Sequence, residues 1–287
     1  MVFDKSVSDP ANITISEDFD FLYRLITSGF YRVLCKSAMG GGEVFVCRLD
    51  DNDSNFYLDG SPADLTGQEG DVMVVFLEFW YKWYKVDDNR FLYHFADHNI
   101  DGTYIHVPQS LEGVLGPGGA GSSPATTTGS SNATGGADTK NESSKYVCGL
   151  GLEGVFGGIC EWVEGVEINN RVWKITDPDG STRNVNAETF SGWIINIEAE
   201  NGPFFDVVPT QVGGSDSTHY SDYYSRTSDS SLVLARSGYR SYPTGGVAYT
   251  DAAYDASDMD SSYGSRLAFH GTISELAPRQ FKRLPVL

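Results

Sequence analysis

Apolar and polar positions follow one helical pattern near the start of the chain and short strand-like patterns elsewhere. Over residues 16–36 the apolar side chains recur at helical spacing, and Ser16 followed by Glu17 and Asp18 is typical of a helix N-terminus. We therefore predict helix over this segment, with Gly29 as a candidate break between two helices. The apolar positions that define the pattern are Phe19, Leu22, Leu25, Ile26, Phe30, Val33 and Leu34.

The strongest strand signal is the run at residues 70–85, which is dense in β-branched and aromatic side chains. A polar turn at 87–89 and a second run at 91–95 extend it to a hairpin or meander, whose aromatic side chains we expect in the core. Residues 177–180 are typical of a β-turn, and residues 211–230 of a polar loop. Shorter runs predict further strands at 43–48, 104–107, 166–168, 171–176, 192–197, 204–208, 231–235 and 264–270.

A change in composition at residues 113–145 divides the chain. This segment is rich in Gly, Ser, Thr, Ala and Asn and has almost nothing to bury, which is typical of a flexible loop or linker. It separates an N-terminal attachment or scaffold region, 1–112, from a ligand-binding region, 146–287. The pattern leaves open whether these regions are separate domains. One helical region among many strands and turns predicts the α+β class.

The charge of the chain argues against several kinds of partner. Its 39 acidic residues exceed its 20 basic residues, which gives a formal net charge of −19. Because phosphate binding needs clustered Lys and Arg, and these are scattered, we expect no nucleic-acid partner. The longest apolar run, 72–77, is too short to cross a bilayer, so we expect no membrane insertion. The N-terminus has no basic region followed by an apolar one and does not predict a secretory signal.

Cysteine and histidine spacing predicts neither a metal site nor a disulfide framework. The cysteines form two widely spaced pairs without a CxxC motif, and buried free thiols are the favoured state. His94, His98 and His106 could share a strand face, but surface histidines are the favoured interpretation. The acidic loop 50–61 lacks the Gly and Glu of an EF-hand, and we favour a solvated turn over calcium binding. The cysteines are Cys35, Cys47, Cys148 and Cys160.

Motifs for catalysis and nucleotide binding are weak. Residues 149–154 match the GxGxxG pattern, but a Gly- and Ser-rich segment precedes them and no βαβ unit follows. Pairs of carboxylates are common in so acidic a chain and do not by themselves predict a glycosidase. We therefore predict no enzyme activity, no catalytic residues, no metal and no cofactor.

The last third of the chain has the composition of a binding surface. Two strand-like pieces, 231–235 and 264–270, bracket a stretch that is rich in Tyr, Asp, Ser and Gly and contains no Lys. A rigid framework that carries an irregular surface is typical of binding loops, and Tyr with small polar residues recurs in recognition surfaces. The alternative is a long polar connection whose tyrosines cap the core. The candidate ligand-binding residues are Tyr239, Arg240, Tyr242, Tyr249, Asp251, Tyr254 and Asp258.

Four short blocks carry a resemblance to a known family. In chain order they are Gly-Leu-Glu-Gly at 151–154, Gly-Gly-Ile-Cys-Glu-Trp at 157–162, Leu-Val-Leu-Ala-Arg-Ser-Gly at 232–238 and Gly-Ser-Arg-Leu-Ala-Phe at 264–269. Their order resembles the C-type-lectin-fold family that includes the formylglycine-generating enzymes. The resemblance implies a C-type-lectin-like domain over 146–287. It also implies a set of fold determinants, which are Glu161, Trp162, Arg236, Arg266 and Leu267.

The chain departs from the functional motifs of that family. The Arg-Gly-Gly-Ser block of the family is here Arg-Ser-Gly-Tyr at 236–239, and the cysteine pair that holds copper in the enzymes has no counterpart after Cys160. The calcium-dependent sugar motifs of true C-type lectins are also missing from the sequence. The resemblance therefore implies neither oxidase activity nor calcium-dependent sugar binding.

The whole chain is also similar to a group of proteins of gut Bacteroidales and their phages. Several members are variable targets of diversity-generating retroelements and resemble phage tail-tip or fibre adhesins. The segments that carry this similarity are 70–74, 79–82, 151–154 and 206–210. The resemblance implies a location in the virion, or alternatively at the bacterial cell surface. It implies as partners a host cell-surface glycan or protein, other virion or appendage subunits, and further copies of the chain in a homo-oligomer.

These expectations combine into one functional hypothesis and one alternative. The hypothesis is a non-enzymatic receptor-binding protein, an adhesin, whose Tyr-rich surface recognises a cell-surface glycan or protein. The alternative is a structural decoration or fibre-assembly protein of the virion, in which the same tyrosines are buried in an oligomer.

Overall fold

The computed structural model describes residues 1–6, 20–38, 41–113, 147–150, 152–156, 160–177, 180–198, 208–227, 231–236, 248–258 and 263–286. Over these residues the chain is built mostly from β-structure, with twenty-one strands and two helices. The predicted α+β class is therefore wrong, and the protein is mainly β. Beyond Gly113, the predicted linker lies outside the described residues.

The first helix is shorter than predicted. Helix α1 spans Asp20–Ser28, and strand β2 (Phe30–Ser37) begins directly after Gly29. The prediction of helix is therefore wrong for residues 30–36, and residues 16–19 lie outside the described part of the chain. A Cβ atom at Gly29 would lie 2.5 Å from a carbonyl oxygen of the helix, so glycine fits best where the chain leaves the helix.

Strand β2 lies inside a six-stranded sheet that is buried on both faces. Its residues Val33 and Leu34 are both fully buried but belong to different cores, because neighbouring strand residues point to opposite faces. The apolar residues of this strand therefore lie on both faces and do not follow a period of two, which is why the sequence pattern indicates a helix here. The other strands are β3 (Glu43–Arg48), β4 (Asp71–Phe76), β8 (Ser110–Gly113), β20 (Ala268–Phe269) and β21 (Thr272–Glu275). Their order is β20-β8-β4-β2-β3-β21.

The predicted strand 70–85 is divided between two sheets, because it breaks at Leu77 and Glu78 after β4. A four-stranded sheet then contains β1 (Val2–Asp4), β5 (Phe79–Lys85), β6 (Arg90–Ala96) and β7 (Ile105–Val107), in the order β1-β6-β5-β7. The pairing of β5 with β6 confirms the predicted hairpin, and β7 confirms the strand at 104–107. Phe91 and Tyr93 lie in the core as predicted, whereas most aromatic side chains of β5 are only half-buried.

A nine-stranded sheet forms most of the C-terminal half. Its strands are β11 (Cys160–Asn169), β12 (Val172–Thr176), β13 (Thr182–Asn186), β14 (Gly192–Ile197), β15 (Pro209–Val212), β16 (Tyr223–Arg226), β17 (Ser231–Arg236), β18 (Thr250–Ala252) and β19 (Tyr263–Gly264). The order is β13-β12-β11-β17-β18-β16-β14-β15, with β19 paired to β11. Strand β16 lies within the predicted polar loop 211–230, so that prediction is wrong there.

Most of the shorter strands predicted for this half are confirmed. Strands β12, β14 and β17 match the runs predicted at 171–176, 192–197 and 231–235 to within about one residue at their ends. Strand β11 contains the run predicted at 166–168 but begins six residues before it. The single strand predicted at 264–270 is instead divided into β19 and β20. Residues 204–207, 178–179 and 228–230 lie outside the described residues.

Trp173 lies at the centre of the core of the nine-stranded sheet. Its side chain is fully buried, and its indole Nε1 donates a hydrogen bond to the carbonyl oxygen of Pro209 at 3.0 Å. The ring of Tyr224 lies 6.0 Å from it, and Ile168 and Leu232 belong to the same core. One side chain on β12 therefore joins strands from both ends of the sheet.

The segment 149–154 takes part in a hairpin. Strands β9 (Val147–Gly149) and β10 (Leu152–Phe156) pair antiparallel across it. A hairpin replaces the strand, turn and helix that a dinucleotide-binding GxGxxG segment requires, as the sequence context predicts.

The two halves of the chain are joined through their ends. Strands β20 and β21 from the end of the chain are part of the six-stranded sheet, and helix α2 (Pro278–Phe281) follows them. Buried Lys36 on β2 donates to the carbonyl oxygens of Phe281 and Leu284 at 3.1 and 2.9 Å. At the other end, Lys5 donates to Asn196 Oδ1 on β14 at 2.8 Å. Within the described ranges, no helix combines the length and the apolar character that crossing a membrane requires.

Candidate functional site

The predicted binding stretch is only partly described by the structure. Tyr249 and Asp251 are 4% and 7% exposed, Tyr254 is half-buried and Asp258 is exposed. Because Tyr249 and Asp251 are buried, they support the surface and do not contact a ligand themselves. The other predicted residues, Tyr239, Arg240 and Tyr242, lie outside the described residues.

Asp251 is the centre of a hydrogen-bond network beneath this stretch. Its Oδ2 accepts from the hydroxyl of Tyr263 at 2.6 Å and from that of Tyr249 at 3.3 Å, and its Oδ1 accepts from the backbone N–H of Ala253 at 3.0 Å. Burial raises the pKa of Asp251, and the hydrogen bonds oppose that rise. Burial together with the Asp251 carboxylate raises the pKa of Tyr263, which keeps its hydroxyl a donor. Strands β18 and β19 are thus tied together at one carboxylate.

Three aromatic rings pack together beside this network. The Tyr263 ring lies between two others, with its centroid 4.9 Å from Trp162 and 4.6 Å from Tyr254. The interplanar angle to Trp162 is 27°, so these two rings are nearly parallel. Cys160, which is 1% exposed, packs in the same cluster. The stack anchors the chain on both sides of residues 259–262.

Arg236 holds the chain on both sides of residues 237–247. Its Nη1 donates to the carbonyl oxygen of Tyr249 at 3.0 Å and to Thr250 Oγ1 at 2.6 Å. Asp222 accepts the backbone N–H of Ala248 at 2.7 Å. Burial lowers the pKa of Arg236 to about 10, and the charge of Asp222 opposes the decrease. The two ends of the segment that contains the predicted contact residues are therefore fixed side by side.

Replacing Asp222 with Asn is expected to stabilise the protein at neutral pH. Burial raises the pKa of Asp222 from 3.8 to about 6, even though the N–H of Ala248 and the charge of Arg236 oppose the rise. At pH values above the pKa of Asp222 in the folded state, ionisation of Asp222 therefore lowers the free energy of unfolding by about 2–3 kcal/mol. At pH values below its pKa in the unfolded state, this penalty is absent. The amide oxygen of Asn can still accept from Ala248. Urea unfolding of Asp222→Asn should show a gain of this size at pH 8 that disappears as the pH falls toward 4.

The exposed Asp216 provides a matched control for the Asp222 experiment. Asp216→Asn should change the free energy of unfolding by less than about 0.5 kcal/mol at either pH. A gain for Asp222→Asn that does not depend on pH would contradict the assigned burial penalty.

A buried ion pair joins the stretch to the N-terminal sheet. The Nε of Arg266 lies 3.0 and 2.8 Å from the two carboxylate oxygens of Glu161, and its Nη1 donates to the carbonyl oxygen of Gly113 on β8 at 3.1 Å. The side chain of Arg266 is 8% exposed and that of Glu161 is 16% exposed. By contrast Leu267, which the resemblance implies as a fold determinant, is 69% exposed.

A cleft of about 890 Å³ opens beside this ion pair, between the six-stranded and the nine-stranded sheets. Trp162, Arg266 and Ala256 line it, so it adjoins the aromatic stack and the loop after β18. Burial raises the pKa of Glu112 at one wall, while the charges of His270 and Arg266 oppose the rise. The cleft is concave, mixed in polarity and held by rigid strands, which are features of ligand-binding sites.

Other candidate sites of the sequence are structural in character. Cys47 and Cys160 are buried free thiols as predicted, and Cys35 is a half-buried free thiol. Burial raises the pKa of Cys35 to about 11 and that of Cys47 to about 12, so both thiols are protonated at neutral pH. Among the described residues no three metal-ligating side chains converge. The histidines at positions 94, 98 and 106 are exposed, as predicted.

Several carboxylates of the acidic loop 50–61 accept hydrogen bonds from backbone N–H groups of the loop itself. Asp50 accepts the backbone N–H groups of Asn52 and Asp53 at 2.9 and 3.1 Å, and Asp59 accepts that of Ser61 at 2.9 Å. These are local turn contacts, in agreement with the predicted solvated turn.

No family model matches the chain, and neither characterised proteins nor solved structures give a match. Its class is therefore defined by its own fold and site. It is a mainly β protein in which a Tyr-rich segment is anchored at several points beside a cleft between two sheets.

Sequence reasoning missed Glu112 and Asp222. Asp222 lies in a run of Ser, Asp and Tyr with no periodicity, and no local signal separates it from its exposed neighbours. Glu112 gains its burial from β20, which pairs with β8 from the far end of the chain. Trp162 and Arg266 were predicted to be important only from the family resemblance.

Proposed function

We propose that the chain is a non-enzymatic receptor-binding protein of a phage particle or of a bacterial surface appendage. The supporting observation is the anchoring of the Tyr-rich segment by Arg236, Asp251 and Tyr263. Segments rich in Tyr, Ser and Gly bind with less loss of entropy when a rigid framework fixes their ends. The assignment to a phage or bacterial surface rests on the sequence resemblance.

In the proposed binding mode, Tyr254 and Asp258 contact the receptor from the loop after β18. Tyr239, Arg240 and Tyr242, which lie outside the described residues, are the other predicted contacts. Aromatic faces pack on apolar parts of a cell-surface glycan or protein, while Arg and Asp fix its orientation by hydrogen bonds. Several copies on one particle, assembled with other virion or appendage subunits, raise the weak affinity of each site.

Binding to intact cells tests this function. Purified protein is incubated with a panel of gut bacterial strains, and bound protein is quantified for the wild type and for a Tyr239→Ala, Tyr242→Ala, Tyr254→Ala variant. We expect the wild type to bind selected strains and the variant to bind them at least about tenfold more weakly, equivalent to about 1.4 kcal/mol. Circular dichroism verifies that the variant is folded.

The matched control for the triple variant is Tyr23→Ala, because Tyr23 is 55% exposed on helix α1, which contacts β2 and β6 of the N-terminal half. This control should bind as the wild type does. Binding to no strain, or equal binding by all three proteins, would contradict the proposal. A wild-type oligomer that the triple variant dissociates would instead favour the structural alternative.

A further inference from the structure

The outer face of the four-stranded sheet carries a row of aromatic and basic side chains. Side chains at alternate positions of a strand share a face, so Trp80, Lys82 and Tyr84 lie together on β5. The register places His94 opposite Lys82 and His106 opposite Trp80. Tyr84 is 43% exposed, and both histidines are exposed. This set of five residues is called the β5 platform below.

The opposite face of the same sheet points inward. Phe91 and Tyr93 of β6 are 2% and 5% exposed there, and Trp83 packs beside Phe91 with ring centroids 6.0 Å apart. Burial of this inner face accounts for the strand pattern of residues 79–95, but it does not account for aromatic residues on the outer face. Large aromatic side chains on a solvent-facing strand surface call for a separate explanation.

The side chains of the β5 platform are ordered by one another. The rings of Trp80 and His106 stack with centroids 4.3 Å apart and an interplanar angle of 19°. The ammonium group of Lys82 donates to Asp101 at 2.9 Å and lies 5.2 Å from the Tyr84 ring centroid. Side chains that are fixed before binding lose little entropy when a ligand arrives. The platform is thus preorganised.

The permanent charge of the platform is already paired. Lys82 forms an ion pair with Asp101, and His106 Nε2 lies within hydrogen-bond distance of Glu78 Oε2, at 3.2 Å. A charged ligand would have to break the ion pair or be repelled by one of its members. A neutral ligand can instead contact the ring surfaces through its C–H groups and hydrogen-bond the paired polar groups at their free edges. Sugars have this combination of apolar ring faces and hydroxyl edges.

The size of the platform also limits the occupant. Strand β5 has seven residues, and β7 pairs with only the first three of them. At about 3.4 Å per residue and about 4.8 Å between strands, the face of β5 and its two neighbours measures at most about 24 by 10 Å. The resulting area of about 240 Å² is well below the roughly 800 Å² that each partner buries in a stable protein interface. It suits a chain of a few sugar units. We propose that the β5 platform binds a short neutral oligosaccharide, independently of the Tyr-rich surface.

Calorimetric titration with cello-, xylo-, manno- and maltohexaose tests the platform, with oligogalacturonate as the anionic comparison. We expect at least one neutral hexasaccharide to bind more tightly than oligogalacturonate. Trp80→Ala and Tyr84→Ala should each weaken that binding about tenfold or more. Tyr84 is exposed, so Tyr84→Ala keeps the test valid even where Trp80→Ala does not fold.

Two controls separate this site from the proposed receptor surface. Tyr254→Ala, which removes a ring next to the cleft, and Phe190→Ala, which removes a 73% exposed ring from the C-terminal half, should leave oligosaccharide binding unchanged. The proposal is overturned if no neutral oligosaccharide binds or if the platform variants bind as the wild type does. It is equally overturned if oligogalacturonate binds best, or if sedimentation reveals a dimer of the chain that Trp80→Ala dissociates.

Discussion

Replacing Arg266 with Met is expected to destabilise the protein by about 3–5 kcal/mol. The substitution leaves the carboxylate of Glu161, which is only 16% exposed, without its cation. It also removes the donor to the carbonyl oxygen of Gly113, and with it the link between β8 and β11. Urea unfolding at neutral pH, followed by tryptophan fluorescence, measures the loss as a lower transition midpoint.

The matched control for Arg266→Met is Lys174→Met. Lys174 pairs with Glu167 at 2.8 Å, but these side chains are 52% and 47% exposed. An exposed ion pair contributes about 0.2–1 kcal/mol, so this control should change little. The double variant Glu161→Met, Arg266→Met should be more stable than Arg266→Met alone, since it removes the unpaired charge. If Arg266→Met and Lys174→Met lowered the free energy of unfolding equally, burial would not account for the contribution of the Glu161–Arg266 pair.

The elements that the sequence predicts well are those with local signals. Hairpin β5–β6 combines β-branched and aromatic runs with a polar turn, and the strands at 43–48 and 192–197 are short runs rich in β-branched and aromatic residues. The error over residues 30–36 has a physical cause, because a strand that buries apolar side chains on both faces does not produce a period of two. The class assignment failed for the same reason.

Contacts between distant parts of the chain could not be predicted. Strand β21 pairs in parallel with β3, joining Thr272 to Glu43, and nothing in either segment indicates the other. The cleft depends on this closure of the chain, since β20 pairs with β8 at its wall. Composition alone located the Tyr-rich stretch, but it could not separate the buried Tyr249 and Asp251 from exposed contacts. That distinction depends on which strand of the sheet each residue joins.

Replacing Trp173 with Ala is expected to cost about 3–5 kcal/mol of folding free energy. The side chain is fully buried, so its removal leaves a cavity between β12 and the strands packed against it. The carbonyl oxygen of Pro209 also loses its hydrogen bond from the indole N–H. Urea unfolding measures the loss, and Phe190→Ala, which removes a 73% exposed aromatic side chain from the same half, is the control.

A Trp173→Phe variant separates the two contributions to this loss. Phenylalanine fills most of the space but cannot donate to Pro209, so it isolates the cost of an unpaired buried carbonyl, about 1–3 kcal/mol. We expect Trp173→Phe to lie between the wild type and Trp173→Ala, and Phe190→Ala to change stability by less than about 0.5 kcal/mol. A Trp173→Ala loss as small as that of Phe190→Ala would contradict the central packing position of Trp173. Because β12 pairs with β11, which carries Glu161 and Trp162, a large loss would also tie the stability of the binding surface to this core.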